Sequence, residues 1–473
     1  MNVLFVSAEM APVVKVGGVG DVTGALPHAL RGLGPDVRVA LPLYASVDRE
    51  AIGAQRLASL PDGCALWSGQ SNGVPVYLYE HEASFGRERV YGYDDEVERF
   101  LVFCRAVVAS AEALDWRPDV IHLNDWLTGF VATWLAGQPE HRWAGVPRVF
   151  TVHNLGYRGD FDKAFARAHA LPPEALKAPR GVSRHVPYSG LAQGIMHSDL
   201  VTIVSPTYAR EVLTPEYGGA LTPLLQRLGD RLAGIMNGID TDEFDPASDA
   251  HLPATFDAEH LERRAENKRA LQHEMGLPAN ATVPVAGMVT RLFEQKGVDL
   301  AAGAIDRLLA AGAELQLVVL GTGDATYEQQ LLDLAARYPQ QVAVRIAFDV
   351  ALGQVIYGGS DLFLMPSRYE PCGLGQMIAM RYGAAPVVRR TGGLADSVQP
   401  YDRERGSGTG FLFDEIAPEA VAAALTDALD AYREREAWRA LQQRAMARDF
   451  SWANAARQYE ALYQRAAAQG AGR

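Results

Sequence analysis

The chain has little cysteine, no excess of positive charge and no long apolar run. It holds three cysteines among 473 residues, and their spacing fits neither a disulfide framework nor a zinc site. The formal net charge is −13, which argues against a nucleic-acid partner, because phosphate backbones are bound by basic surfaces. The apolar run at residues 2–6 is too short for a signal peptide or a membrane span, and no run that could cross a bilayer follows. The sequence therefore predicts a soluble, cytoplasmic protein with no membrane or nucleic-acid partner.

Short apolar runs alternate with helical stretches along nearly the whole chain. These runs are continuously apolar, which is typical of parallel strands that are covered by helices on both faces. The predicted strands are residues 3–7, 37–40, 76–79, 120–123, 148–152, 200–204, 282–288, 316–320, 342–347, 362–365 and 385–388. Eleven strands are many for one open sheet, and 473 residues are many for one core. The sequence therefore predicts an α/β protein with two doubly wound, Rossmann-like domains.

The predicted domain boundary follows a turn signal at residues 236–240, where an apolar run meets Asn-Gly. Residues 1–238 would form the first domain and residues 239–451 the second. The polar stretch at residues 241–260 would connect them. Apolar residues at helical spacing near the end of the chain predict a packed terminal helix.

The first run leads into a glycine-rich turn, KVGGVGD at residues 15–21, which precedes a helical stretch at residues 22–33. Glycines in such a turn let backbone N–H groups approach an anion, and Lys15 can add a positive charge against a diphosphate. Close packing alone would explain the glycines equally well. The spacing is neither the dinucleotide fingerprint nor a Walker loop, which disfavours a nicotinamide dehydrogenase.

Two cations follow a strand of the second half. Arg291 and Lys296 lie five residues apart in a predicted strand-to-helix loop, where they can hold the two phosphates of a nucleotide diphosphate without a metal. Such pairs are most often only solvated surface charges. Their place at the carboxyl end of a strand favours a function, because open α/β sheets bind ligands at that edge.

A third cluster follows the strand at residues 362–365. Glu370 stands just before a helix that is expected to begin near Gly373, and the N–H groups of Gly373 and Leu374 would suit a leaving phosphate. Glu370 could accept hydrogen bonds from sugar hydroxyls, although a glutamate before proline also fits a simple helix cap. Residues 391–396 supply another glycine-rich turn on the same edge.

Taken together, these motifs resemble bacterial glycogen synthases and plant starch synthases. The resemblance runs from the first residue to about Tyr463, and supporting stretches lie at residues 153–155, 204–209, 237–240, 321–324 and 408–411. The family implies a glycosyltransferase-B fold, in which two Rossmann-like domains face each other across a cleft and the terminal helix, residues 452–473, packs on the first domain. It also implies transfer of glucose from ADP-glucose to the non-reducing end of glycogen, an α-1,4-glucan, with retained configuration and without a cofactor or metal.

The resemblance implies a role for each matched residue. The residues expected to be catalytic are Glu370, His153, Lys296 and Arg291. The residues expected to bind the donor are Lys15, Gly17, Gly18, Asp21, Asp125, Asn154, Asn237, Cys372, Gly373, Leu374 and Thr391. A lone histidine after a strand more often only packs, so His153 rests on the resemblance alone. No matched carboxylate is an obvious covalent nucleophile, so front-face attack guided by the leaving phosphate is the mechanistic hypothesis.

The chain departs from the family pattern in three places. Val19 stands in the glycine loop, Asn124 and Leu127 flank Asp125 where the family commonly has histidines, and Ala192 lies in a segment where relatives often carry a lysine. These departures concern acceptor handling and rate.

Two alternatives remain open. One is a related retaining glucosyltransferase that uses a small maltooligosaccharide or a glucosyl phosphate as its acceptor. The other is an inactive glucan-binding paralogue, which the retained Lys15, Arg291, Lys296 and Glu370 disfavour. The sequence gives no prediction of oligomeric state or effector control.

Overall fold

The chain divides into two compact units in the computed structural model, which describes residues 1–179 and 187–471. Unit 1 comprises Met1–Gly238 with Ser451–Arg473, and unit 2 comprises Ile239–Phe450. Within the described ranges, no helix is both long enough and apolar enough to cross a membrane.

Among the described residues, unit 1 is built on a nine-stranded sheet with a parallel centre and one antiparallel edge. Its central strands are continuously apolar because helices cover both faces; Leu4, Val39 and Phe150 are fully buried. A separate antiparallel pair, β8 and β9, completes the unit. The strands are β1 (Asn2–Val6), β2 (Asp36–Pro42), β3 (Gln55–Ser59), β4 (Ala65–Ser71), β5 (Val74–Glu80), β6 (Val120–Asn124), β7 (Arg148–Val152), β8 (Asp160–Phe161), β9 (Tyr188–Ser189), β10 (Leu200–Ile203) and β11 (Leu232–Gly234).

The helices of unit 1 connect these strands. Local caps start several of them; for example, the Ser205 hydroxyl accepts a hydrogen bond from the Tyr208 N–H at 3.2 Å. In chain order they are α1 (Gly18–Gly32), α2 (Glu82–Phe85), α3 (Glu96–Ala109), α4 (Asp125–Ala136), α5 (Lys163–Ala168), α6 (Gly190–His197), α7 (Pro206–Glu211), α8 (Pro215–Gly218) and α9 (Thr222–Gln226).

Unit 2 is a doubly wound unit around a parallel sheet, which has six strands among the described residues. The strands are β12 (Val285–Val289), β13 (Gln316–Gly321), β14 (Val342–Ile346), β15 (Leu362–Met365), β16 (Ala385–Arg389) and β17 (Phe411–Phe413). The helices are α10 (Arg264–Glu274), α11 (Val298–Ala310), α12 (Ala325–Arg337), α13 (Val350–Gly359), α14 (Gly375–Arg381), α15 (Gly392–Ser397), α16 (Pro418–Arg433) and α17 (Arg435–Met446).

The last helix, α18 (Trp452–Ala471), belongs to unit 1. Its Tyr459 and Tyr463 are fully buried, and the Tyr463 hydroxyl forms a 2.7 Å hydrogen bond with the His122 ring on β6. The terminal helix is therefore packed, as its apolar spacing predicts.

The strand order places a topological switch point in each unit. In unit 1 the order is β11-β10-β7-β6-β1-β2-β5-β4-β3, so successive strands leave β1 in opposite directions. In unit 2 the order is β14-β13-β12-β15-β16-β17, and the reversal lies between β12 and β15. Ligands of open α/β sheets bind outside the carboxyl ends of the strands at such points. These two edges therefore position the candidate site residues.

Every predicted strand is present, and the predicted α/β class with doubly wound, mainly parallel sheets is confirmed. The polar stretch at residues 241–260 is packed on unit 2 rather than being a bare connection, because the Arg381 guanidinium donates to the Thr241 carbonyl at 3.0 Å and the Tyr382 hydroxyl donates to Asp249 at 2.7 Å.

Candidate active site

A buried ion pair lies at the switch point of unit 2. The Lys296 ammonium, in the loop after β12, lies 2.6 Å from Oε2 of Glu370, which follows β15. The Lys296 and Glu370 side chains are 17% and 6% exposed. The same carboxylate oxygen accepts a 3.1 Å hydrogen bond from the Ser367 hydroxyl. Two residues that are 74 positions apart in the sequence thus meet because β12 and β15 are neighbours in the sheet.

The loops that carry this pair are fastened to each other. The Arg368 N–H donates to the Gln295 carbonyl at 2.8 Å, and the Gln295 amide donates to the Tyr369 carbonyl at 3.2 Å. The Arg368 guanidinium forms a bidentate pair with Asp299 at 2.7 Å for both bonds. Bidentate pairing fixes orientation as well as distance. The Lys296–Glu370 geometry is therefore preorganised.

Gly297 lets these two loops approach. Its φ is +65°, a left-handed conformation that strains other residues, and a Cβ added there would overlap the carbonyl oxygen of Pro366. Glycine is needed here for both reasons.

The turn after Glu370 is held by hydrogen bonds from a fully buried glutamine. The Gln376 amide donates to the carbonyls of Cys372 and Gly373 at 3.1 and 2.9 Å, and to the Ser397 hydroxyl at 3.0 Å. Helix α14 begins at Gly375, two residues after Gly373, which confirms the expected start near Gly373; Gly373 itself has φ +73° and cannot belong to a right-handed helix. The expected N–H groups of Gly373 and Leu374 thus lie in the turn before the helix.

The glycine-rich turn at Thr391 packs against the same segment. Thr391 is fully buried, and the Gly393 N–H donates to the Glu370 carbonyl at 3.1 Å. A Cβ at Gly392 would overlap that carbonyl oxygen, and one at Gly393 would overlap the carbonyl oxygen of Cys372. The structure therefore brings Lys296, Glu370, Cys372 and Thr391 together.

Arg291 is placed differently from Lys296. It stands exposed at the start of the same loop, and its guanidinium lies 5.7 Å from the centroid of the Phe293 ring. It shares the carboxyl edge of β12 with Lys296 but takes no part in the buried pair.

A second cluster occupies the switch point of unit 1. Asp125 follows β6 with φ +56°, an uncommon conformation for a residue other than glycine. Its Oδ1 accepts a 2.7 Å hydrogen bond from the N–H of His153, which follows β7, and its carboxyl also accepts one from the N–H of Asn154. The left-handed start of α4 thus turns the carboxyl toward the neighbouring strand end.

The His153 ring is oriented by Asn124. Its Nε2 lies 2.9 Å from Oδ1 of Asn124, whose amide nitrogen donates to the Val6 carbonyl at 3.0 Å. A carbonyl can only accept, so the amide oxygen faces the ring and Nε2 must carry the proton. In the neutral ring, Nδ1 is then the acceptor.

Burial sets the charge of both groups. Burial lowers the pKa of His153 from 6.5 to about 4, so its ring is neutral at pH 7. Burial raises the pKa of Asp125 from 3.8 to about 7; the backbone N–H groups of His153 and Asn154 oppose that rise, and the nearby Glu9 carboxylate adds to it.

The glycine-rich turn of unit 1 is held by Glu9, which was not predicted as a site residue. Glu9 is 3% exposed, and its Oε2 accepts hydrogen bonds from the N–H groups of Val16 at 2.5 Å and Gly17 at 2.8 Å. The Gly17 N–H is therefore already satisfied by a carboxylate. Gly18, exposed, starts helix α1, and Lys15 pairs with Asp21 at 2.5 Å.

Two expected donor residues in unit 1 are asparagines. The Asn154 side-chain oxygen accepts from the Gly156 N–H at 2.8 Å and so forms a local turn. Asn237 is buried, and its Oδ1 has no hydrogen-bond partner within the described part of the chain. A buried acceptor without a partner is costly unless a ligand or water satisfies it.

Sequence reasoning located the strand-end residues but missed Glu9, Ser367 and Gln376. Asn124 appeared only as a departure from a family pattern, and Leu127, another departure, is buried in the core. A lone acid or amide beside a motif has no periodicity, so only its long-range contacts identify it. Across residues 1–179 and 187–471, no group of three or more His, Cys, Asp or Glu side chains is arranged to hold a metal ion.

Comparisons with known proteins agree with this architecture. Residues 2–227 match the family described as starch synthase catalytic domain, and residues 273–444 match glycosyl transferases group 1. The chain is 47% identical to a glycogen synthase of Anaeromyxobacter dehalogenans, over 98% of each protein. It is 43% identical to one of Syntrophotalea carbinolica, over 98% of this chain and 99% of the relative.

A solved structure is also similar over the whole length. The catalytic domain of starch synthase IV from Arabidopsis thaliana, bound to ADP and acarbose, has a TM-score of 0.89 and 36% identity, covering 98% of this chain and 99% of that one. This likeness confirms the expected glycosyltransferase-B fold class. The chain belongs to the family of glycogen and starch synthases, which are glycosyltransferases.

Proposed function

We propose that the chain transfers glucose from ADP-glucose to the non-reducing 4-hydroxyl of an α-1,4-glucan, with retained configuration, and thereby elongates glycogen. The observation that carries this proposal is the buried Lys296–Glu370 pair at the switch point of unit 2. The names of the relatives, and the ADP and acarbose bound in the similar starch synthase structure, support the same donor and a glucan acceptor.

Lys296 binds the leaving diphosphate. An ammonium has three donors, and one of them binds Glu370, so two can bind phosphate oxygens. Arg291, exposed on the same loop, adds a second positive charge at that edge. Breaking the anomeric C–O bond develops negative charge on the diphosphate, and preorganised cations stabilise that charge in the transition state. No metal or cofactor is needed for this step.

Glu370 binds the glucose of the donor. Its bonds to Lys296 and Ser367 both fall on Oε2, and among the contacts of the described residues none falls on Oε1. That oxygen can accept a hydrogen bond from a glucose hydroxyl. The carboxylate also stabilises positive charge that develops at the anomeric carbon.

His153 acts as a neutral hydrogen-bonding group. With Nε2 protonated and bound to Asn124, and with its pKa at about 4, Nδ1 can accept a bond from a hydroxyl of the transferred glucose. His153 does not act as a general acid near pH 7.

The mechanism is front-face attack of the acceptor hydroxyl, guided by the leaving phosphate. A glucosyl-enzyme adduct, found by rapid trapping and mass spectrometry, would contradict it.

The test is steady-state transfer of labelled glucose to glycogen from ADP-glucose and from UDP-glucose, with and without a chelator. Lys296→Ala and Glu370→Gln should each lower the rate with ADP-glucose at least ~10²-fold, as expected for loss of one strong electrostatic contact in a transition state. Lys163→Ala, which removes an exposed lysine at the start of α5, is the matched control and should leave the rate unchanged. Near-normal rates in both site variants would contradict the assignment.

The same assay, together with a measurement of glucan binding, separates the alternatives. Faster transfer to maltooligosaccharides or to a glucosyl phosphate than to glycogen would indicate the related small-acceptor transferase. Glucan binding without transfer from either donor would indicate the inactive paralogue.

A further inference from the structure

Glu9 is a buried carboxylate with three hydrogen-bond donors directed at it. It lies three residues after β1 and is 3% exposed. Its Oε2 accepts from the N–H groups of Val16 and Gly17, and its Oε1 accepts from the Tyr91 hydroxyl at 2.7 Å. Carboxylates are almost never buried this deeply without such partners, because desolvation is costly. The position therefore has a specific structural purpose.

That purpose is visible in how the turn is held. Residues before it are fixed by backbone bonds: Met10 and Val14 exchange two hydrogen bonds at 2.9 and 2.8 Å. One side of the turn is open, because a Cβ added at Gly17 or Gly18 would meet nothing within 4 Å. Glycine is the residue that loses most conformational freedom on ordering. The carboxylate of Glu9 therefore holds this open, glycine-rich turn, together with the Lys15–Asp21 ion pair and the 3.0 Å hydrogen bond from the Gly20 N–H to the Gly17 carbonyl.

The carboxylate also suits its place electrostatically. The two N–H groups that it binds lie just before α1, a 15-residue helix whose N-cap, Gly17, provides no side-chain cap. The start of a helix carries partial positive charge and unsatisfied N–H groups, which favour an ionised acceptor. Charge-assisted bonds of this kind are about twice as strong as neutral ones.

We infer that Glu9 is a positioning residue, which holds the turn of Lys15, Gly17 and Gly18 in the conformation that binds the donor. The inference rests on the proposed function, because it takes the turn to be a donor-binding element. Glu9 acts through the turn and not by touching the substrate. Without it, the turn would spend only part of its time in the binding conformation, and the apparent affinity for the donor falls by that fraction.

The experiment measures separate KM values for ADP-glucose and for glycogen in four variants of the full chain. Glu9→Ala removes the acceptor and should raise the KM for ADP-glucose about tenfold or more, with the KM for glycogen within twofold of the parent value. Glu9→Gln keeps an oxygen for the two N–H groups and an amide for the Tyr91 hydroxyl, so it should rescue most of the loss, with a rise of about threefold. A purely structural role would lower the active fraction but would not move one KM alone.

Asp199→Asn is the matched control. Asp199 is also a buried carboxylate of unit 1 that accepts a backbone hydrogen bond, from the Arg148 N–H at 2.8 Å. It precedes β10, so it lies at the opposite, amino-terminal edge of the sheet. This variant should leave the KM for ADP-glucose within twofold, whatever it does to thermal stability.

Lys15→Ala separates failure of the role of Glu9 from failure of the premise that the turn binds the donor, whereas failure of the proposed function would appear as no transfer from ADP-glucose in the parent protein. If Lys15→Ala raises the KM for ADP-glucose and Glu9→Ala does not, the role of Glu9 is refuted and that of the turn stands. If Lys15→Ala leaves this KM unchanged, the turn does not bind the donor, and the role of Glu9 and the role of the turn are both refuted. Should Glu9→Ala fail to fold, a KM for ADP-glucose in Glu9→Gln equal to that of the parent refutes the inference.

Discussion

Breaking the Lys296–Glu370 pair should destabilise unit 2 by an amount that depends on which partner is removed. The ammonium and the carboxylate are 2.6 Å apart, and the Glu370 side chain is only 6% exposed. Lys296→Met keeps the length of the side chain but leaves the carboxylate buried with, among the described residues, only the Ser367 hydroxyl as its partner. Removing one partner of a buried pair typically costs about 3–5 kcal/mol, and the remaining bond places this case at about 3 kcal/mol.

Glu370→Gln should cost less, about 1–2 kcal/mol, because the Lys296 side chain is 17% exposed and its ammonium can turn toward water. The double variant leaves no buried charge without a partner. Its loss of stability should therefore be smaller, by about 2 kcal/mol, than the sum of the losses in the two single variants. This non-additivity measures the interaction energy between the Lys296 and Glu370 side chains.

Native-state hydrogen exchange at the amides of β12 and β15 is the suitable assay. It reports local opening free energies in unit 2, whereas global unfolding of a chain with two units is not two-state. Losses of opening free energy that add to within about 0.5 kcal/mol would mean that the two side chains do not stabilise each other, and would refute a stabilising Lys296–Glu370 pair.

Two further predictions concern backbone strain and pH. Gly297→Ala, at φ +65° and against a backbone oxygen, should lower the local opening free energy of unit 2 by about 3 kcal/mol or more, whereas Gly312→Ala, at φ +82° in open space, should lower it by only about 1 kcal/mol. Native-state hydrogen exchange that shows no larger loss for Gly297→Ala than for Gly312→Ala would contradict this. Lowering the pH from 6.5 to 4 should destabilise unit 1, because burial holds the pKa of His153 and His197 at about 4 and the folded chain binds fewer protons than the unfolded chain in that window. The loss approaches about 3 kcal/mol per histidine at pH 4. Asp125, with its pKa raised to about 7, acts in the opposite direction, so Asp125→Asn should steepen the loss; stability that is flat between pH 6.5 and 4 in both proteins would contradict the assignment.

Much of the fold could be predicted from the sequence because its strands are buried on both faces. Largely apolar runs such as residues 316–320 are typical of a covered parallel strand, and β13 lies there. Among the described residues, six strands, β3, β4, β8, β9, β11 and β17, were not predicted. Of these, β3 (Gln55–Ser59) is largely exposed at the antiparallel edge of its sheet. Its residues lack an apolar pattern because they cover no core, so pairing with β4 rather than burial determines its structure.

The site could be predicted only in part. The predicted site residues Arg291, Lys296 and Glu370 each follow an apolar run. Parallel strands end at the same edge of a sheet, so residues that directly follow them lie near one another. The contacts of Glu9 and Asn124 could not be predicted, because they depend on how a turn and a neighbouring strand end approach in space. The tautomer of His153 depends on one such contact, so no motif in the sequence indicates it.

The position of α18 has a consequence for how the protein can be dissected. The backbone of Trp452 lies 2.8 Å from where a Cβ on Gly238 would stand, and the Ile239 N–H donates to the Phe450 carbonyl at 2.8 Å. In each unit, the two residues at which the chain crosses between the units therefore lie next to each other. Unit 2 is an insertion in the chain of unit 1. Gene segments encoding residues 1–238 and 451–473 could be fused through a very short linker, and residues 239–450 could be excised as one piece. During synthesis, the ribosome must release all of the inserted segment before the host unit receives its last helix.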